Sequence, residues 1–200
     1  MKKMIFIIFI FSSQILYANT TSILFLGDSL TEGLGVAKKS AYPFLVQELI
    51  KTKLKKEVKA INAGVSGSTT SDGLARLKWY LRTKPNIVFI ALGANDGLRG
   101  LDLKESQKNL EQIINQALKS GSKVLLAGML IPPNYGPNYT NDFRNMFIKL
   151  KDKYKLKFMP FLLNKVAGEQ TLNQADGIHP NEKGHKIIAN EVFEFLKEEI

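Results

Sequence analysis

The sequence predicts an α/β fold: a three-layer α/β/α sandwich around a five-stranded parallel sheet, with the flavodoxin-like strand order 2-1-3-4-5. Three observations predict it. Five short apolar runs recur without the polar alternation of a half-exposed sheet, as strands covered on both faces require. Amphipathic helical patterns separate the runs, joined by short connections that suit right-handed crossovers. A chain of 200 residues, 44% hydrophobic and 23% charged, supplies one globular core and is too short for two ordinary ones.

The first run is Ile23-Leu24-Phe25-Leu26, ending at Gly27. Val58 to Ile61 is the second, Ile87 to Leu92 the third and Val124 to Ala127 the fourth, with Leu156 to Phe161 a weaker fifth. Helical patterns cover Pro43 to Lys51 and Leu74 to Leu81. Asp102 with Glu105 forms a capping-box-like start. It opens a helix with Leu103, Leu110, Ile114, Ala117 and Leu118 on one face, ended by Gly121. Phe143 to Tyr154 is the next helix, and the last runs from about Pro180 to the C-terminus, with Ile188, Val192 and Phe195 inward.

Ahead of the domain, Lys2 and Lys3 precede an apolar run from Met4 to Phe11, and Ala18 offers a small residue for cleavage. Residues 1–18 therefore read as a signal peptide and 19–200 as a single domain, periplasmic or secreted. The alternative is an uncleaved anchor, although the run is short for a membrane span. Removing residues 1–18 takes two lysines and no acids from a net charge of +10, leaving +8. The lysines are spread along the chain; Lys51 to Lys59, the densest run, reads as a solvated helix end and turn. No nucleic-acid signature accompanies them. With no cysteine, the chain has no disulfide, thiol nucleophile or lipid-modified cysteine. Its two histidines, His179 and His185, rule out a histidine-rich metal site.

Polar clusters follow the runs. Gly27-Asp28-Ser29-Leu30 follows the first, Asn62 to Thr69 the second, and Leu92-Gly93-Ala94-Asn95-Asp96-Gly97 the third. Parallel strands place all three at the carboxyl edge of the sheet, where such folds bind ligands. Ser29 opens a turn there. A serine needs an adjacent base to act as nucleophile, and a histidine ring titrates near neutrality. His179 is the candidate base. Asp176, three residues earlier across Gly177, can reach the far ring nitrogen and fix the tautomer. Asn95, with the backbone N–H groups of Gly67 and Ser29, can serve a developing oxyanion. Asp28 reads as structural, tying down the turn. His185, outside the motif turns, reads as a surface histidine on an exposed helix. Taken singly, Ser29 could be a helix cap and Gly67 and Asn95 turn residues.

These blocks resemble the SGNH/GDSL hydrolase superfamily. Gly27-Asp28-Ser29-Leu30 is similar to its nucleophile block, Gly67 and Asn95 match its second and third blocks, and Asp176-Gly177-Ile178-His179-Pro180 its last. Gly64-Val65-Ser66-Gly67, Asn95 to Gly100 and Pro133-Asn134-Tyr135-Gly136 are similar to its thioesterase I/protease I/lysophospholipase L1 branch. The resemblance implies a hydrolase of small-molecule esters, acyl thioesters and lysophospholipids, needing no metal or cofactor; a monomer is expected, though the sequence leaves the oligomeric state open. One departure is Ala94, where the branch commonly has glycine. Ile131 to Asn141, with three prolines and two tyrosines, is expected as a loop over the cleft. Leu98, Leu101 and Tyr135 are then expected to meet the acyl chain. The rival readings are a carbohydrate or peptidoglycan O-acetyl esterase with the same residues, and a non-catalytic periplasmic binding protein.

Overall fold

The computed structural model describes residues 20–200. The expected signal peptide, residues 1–18, lies outside the described residues. The five strands are β1 (Thr21–Gly27), β2 (Val58–Gly64), β3 (Ile87–Ala91), β4 (Lys123–Ala127) and β5 (Lys157–Met159). They pair in parallel in the order β2-β1-β3-β4-β5, the predicted topology. The registers Gly27↔Gly64 and Gly27↔Ala91 align the carboxyl ends of β1, β2 and β3, so the polar clusters after them share one edge. β1 and β3 are central, and Ile23 to Leu26 and Val88 to Ala91 are fully buried. That explains the unbroken apolar runs.

Helices cover both faces. On one lie α2 (Tyr42–Leu49) and α7 (Glu182–Leu196), which pack together. Tyr42 meets Phe25 edge-on at 5.7 Å, and Phe195 meets Phe89 at 6.2 Å. On the other face α5 (Leu103–Lys119) lies between α3 (Thr70–Tyr80) and α6 (Pro137–Tyr154). Gly73 lets α3 approach closely, since a methyl there would lie 2.6 Å from Leu92 and 2.7 Å from Ile113. Asp102 caps α5 by accepting the Lys104 N–H at 2.8 Å. The buried stripe of α5 is Leu110, Ile113, Ile114 and Ala117, and each large side chain so buried is worth about 1.5–3 kcal/mol. The sequence places Leu118 inward, but it is 41% exposed. It lies about 80° around the helix from Leu110 at 100° per residue, and Ile113 takes the inward position.

Three helix starts differ from expectation. α3 begins at Thr70, four residues early, because its cap comes from a distant segment: the Asp96 carboxylate accepts the Thr70 N–H at 2.9 Å and its hydroxyl at 2.6 Å. α6 begins at Pro137, whose fixed φ suits a first helical position, and its first six residues lack apolar periodicity. α7 begins at Glu182, capped by Asn181, while Pro180 pairs with Asn173 in an isolated bridge.

His185 corrects a second expectation. It is buried, 1% exposed, with its ring stacked 6.4 Å from Tyr42 and its Nδ1 accepting the Tyr42 N–H at 3.3 Å. Contact between α7 and α2 covers it. Burial pulls the imidazole down from 6.5 to about 4. Because the folded state resists protonation, this contribution is complete above pH 6.5 and is lost as pH falls towards 4. It amounts to about 3 kcal/mol at most. Buried Asp28 acts oppositely between pH 3.8 and about 6, so the effect is read as a difference. Urea midpoints of the wild type should fall between pH 7 and pH 4 more steeply than those of His185→Gln; parallel curves would exclude His185 as the source.

Candidate active site

Ser29 opens the short helix α1 (Ser29–Glu32) directly after β1. Asp28 caps it, with Oδ1 accepting the Leu30 N–H at 3.0 Å. The far end is held from β2: Asn62 Nδ2 donates to the Thr31 carbonyl at 2.7 Å. Only glycine fits at position 64, since a methyl there would lie 2.1 Å from the Glu32 nitrogen. Glu32 in turn accepts the Ser66 N–H at 2.7 Å and the Ser66 hydroxyl. The first two polar clusters are therefore one braced unit.

The third group comes from the other end of the chain. In the Asp176-Gly177 turn, Asp176 Oδ1 accepts the N–H groups of Ile178 at 2.8 Å and His179 at 2.9 Å, while Oδ2 lies 2.7 Å from His179 Nδ1. These bonds, the His179 N–H foremost, pull the Asp176 carboxyl down to about 2. An ionised carboxylate can only accept, so Nδ1 carries the ring proton. Nε2 is then a free acceptor, 2.9 Å from Ser29 Oγ. Hydroxyl, imidazole and carboxylate thus form a continuous relay between residues 150 positions apart.

Gln174, which the sequence did not flag, joins the two halves. Its N–H donates to the His179 carbonyl at 2.8 Å, and its side-chain amide donates to Leu34 at 2.7 Å and Pro180 at 3.0 Å. Nothing local marks it, because its partner loop lies 140 positions away.

Asn95 lies in the first turn of α4 (Ala94–Leu98) and lines the cleft with Ser29 and His179. One of its two amide protons goes to the Ser68 carbonyl at 2.9 Å, leaving the other for a ligand. Gly67 holds φ +76°, a conformation suited to glycine, and its carbonyl accepts from Arg99 Nη2 at 3.0 Å. Gly67 precedes Ser68, whose carbonyl holds the Asn95 side chain. Among the described residues, the Ser29 and Gly67 N–H groups have no acceptor. Asp96 is structural: besides Thr70 it accepts the Ser106 hydroxyl at 3.0 Å, tying α3, α4 and α5 together.

The cleft holds about 550 Å³. Its far wall is apolar and includes Met129, Ile131, Pro132, Phe161 and Leu163, which follow β4 and β5. Leu98 and Ala94 join the wall. Leu101 and Tyr135 do not line it. The Tyr135 hydroxyl instead donates to the Leu98 carbonyl at 2.7 Å, and Tyr139 donates to that of Leu101 at 2.9 Å, bracing this turn from outside. Tyr135 ends the Pro133–Tyr135 turn that precedes α6, and Tyr139 lies in the first turn of α6. Apolar loop residues at strand carboxyl ends, Met129 to Ile131 above all, were the available signal for the wall.

A 2-1-3-4-5 parallel sheet bearing a serine–histidine–aspartate relay at its carboxyl edge defines the SGNH class of ester hydrolases. The chain belongs to the GDSL-like lipase/acylhydrolase family, whose model matches residues 25–187. It is 37% identical to Esterase TesA of Pseudomonas aeruginosa over 90% of each chain. It is 33% identical to thioesterase 1/protease 1/lysophospholipase L1 of Escherichia coli, over 86% of this chain and 82% of that one. The crystal structure of the esterase EstA from Pseudoalteromonas sp., inhibited by monoethylphosphonate, superposes with a TM-score of 0.85. It is 34% identical, covering 89% of this chain and 97% of that one. Among the described residues no helix is long and apolar enough to cross a membrane.

Proposed function

We propose that the chain is an exported esterase and acyl thioesterase that works through an acyl-enzyme on Ser29. One observation carries the reading: the Asp176–His179–Ser29 relay, at 2.7 and 2.9 Å, opens onto a cleft with a long apolar wall. His179 Nε2 takes the Ser29 proton as Oγ attacks the acyl carbon. The N–H groups of Ser29 and Gly67, with Asn95 Nδ2, stabilise the oxyanion. His179 then gives its proton to the leaving alcohol or thiol, and water repeats the sequence to release the acid. Residues 1–18 direct export, which places the enzyme in the periplasm or outside the cell. Lysophospholipids are substrates within this reading, because a single acyl chain on a polar head matches one apolar wall beside a polar relay. An acetyl group on a glycan would leave that wall uncovered.

The test is a panel of p-nitrophenyl esters, acyl thioesters, lysophospholipid and acetylated glycan offered to the purified protein. Turnover rising with acyl length beyond acetyl is expected; turnover of acetylated glycan alone would overturn the reading. Leu98→Ala is expected to move the preferred acyl length, since it removes part of the wall, whereas Tyr135→Phe removes only a brace and should leave it in place. Rates of the two variants across the ester series check this, and an unmoved optimum in Leu98→Ala would remove Leu98 from the wall.

A further inference from the structure

Two ionisable groups line the cleft, His179 and Asp28, and the acyl-transfer scheme uses only the first. Asp28 is 1% exposed. Its Oδ1 caps α1, but its Oδ2 has no partner. Among the described residues one other buried side-chain atom shares that condition: Nε of Arg76, on α3. Arg76 Nη2 donates to the Gly27 carbonyl at 3.0 Å, so its cation abuts the peptide just before Asp28. A helix cap needs only one acceptor, which serine or asparagine supplies without charge. Burying a carboxylate with one oxygen unpaired is costly. Burial pushes the Asp28 carboxyl up to about 6, against the pull of the Leu30 N–H, His179 and Arg76. A group so disfavoured beside a nucleophile is a candidate for function.

We propose that ionised Asp28 is a positioning residue for acyl transfer, its charge supporting the imidazolium that forms on His179 from the side of the nucleophile, with Arg76 as its counter-ion. The inference rests on the reading of Ser29 as nucleophile and His179 as base. No proton passes to Asp28; the Ser29 proton moves to His179 Nε2 and on to the leaving group. The titratable and charged groups that act on Asp28, or that it acts on, are His179, backed by Asp176; Arg76, which contacts Asp72 at 3.4 Å; and the Tyr42 hydroxyl of α2, held by Thr31 at 2.9 Å. Tyr42 stays neutral, because burial pushes the pKa of its hydroxyl up and the nearby Asp28 pushes it further. Charge therefore reaches Asp28 from the C-terminal turn and from α3.

Asp28→Asn tests this, because a carboxamide oxygen still caps Leu30. Its kcat should fall about tenfold, the worth of one pH unit of charge stabilisation, with KM for a short ester unchanged. The acid limb of kcat/KM should move to lower pH. Arg76→Gln should move it the same way by a smaller amount, since Asp28 then keeps its proton to higher pH and supports the imidazolium less. In the double variant the Asp28→Asn profile should return, because Arg76 acts through Asp28. Ring-proton NMR of His179 in a Ser29→Ala background should move in the same senses without needing turnover. Coincident acid limbs in wild type and Asp28→Asn, or displacement of the Arg76→Gln limb to higher pH, would overturn the proposal. A wild type that hydrolyses no ester would instead overturn the functional reading, and the His179 titration would still decide the role of Asp28.

Discussion

Ser29→Ala is expected to lower kcat for ester hydrolysis by roughly 10⁶-fold, the scale seen when a catalytic serine is removed, in a protein that folds as before. The hydroxyl contributes little to the fold. Ser29 is 8% exposed, and its Oγ bonds His179 Nε2 while the cap of α1 comes from Asp28. Alanine fits the first turn of a helix. Activity and structure are therefore separable at this position, which makes the result diagnostic. Measured kcat, far-UV circular dichroism and labelling by a fluorophosphonate give three readouts. A folded Ser29→Ala protein with wild-type turnover would remove Ser29 as the nucleophile. Labelling that persists in the variant would place the reactive hydroxyl elsewhere.

Asp176→Asn is the second large effect, about 10⁴-fold in kcat. The carboxylate has two separate tasks. Oδ1 closes the turn through the Ile178 and His179 N–H groups, and Oδ2 fixes the ring through Nδ1. In the amide, the oxygen stays on the backbone donors and NH2 faces Nδ1. The imidazole then adopts the other tautomer, with its proton on Nε2, where it can no longer accept from Ser29. The wild-type Asp176 carboxyl, held at about 2, stays ionised through the range of any ordinary assay. It therefore adds no limb of its own to a pH profile between 5 and 8. A variant within tenfold of wild type would show that the 2.7 Å contact does not set the tautomer.

Parts of the site were legible in the linear order because each rests on local chemistry. Ser29 follows a buried strand and a glycine, Asp176 precedes His179 by a span one turn can close, and the polar clusters come after apolar runs. The α/β sandwich followed from the same pattern, and the order 2-1-3-4-5 is one of the few topologies that two-sided burial and short crossovers leave. Leu101 and Tyr135 mark where that reasoning ends. They were expected at the cleft because apolar loop residues there suit an acyl chain. Tyr135, in the turn just before α6, and Tyr139, in its first turn, instead brace the Leu98–Leu101 turn through their hydroxyls. Periodicity reports which face of an element is buried, and a polar first two turns of helix carry no such signal.

The chain by itself determined the parallel α/β sandwich, the family and the identity of the relay, since periodicity, strand-end chemistry and turn spacing are written within short windows. Tertiary structure alone decided the burial of His185 against Tyr42, the link from Gln174 to Leu34, the residues of the apolar wall, and the unpartnered oxygen of Asp28 near Arg76. The reason is physical: desolvation and contact depend on which layers close over a side chain, and those layers come from segments up to 150 positions apart.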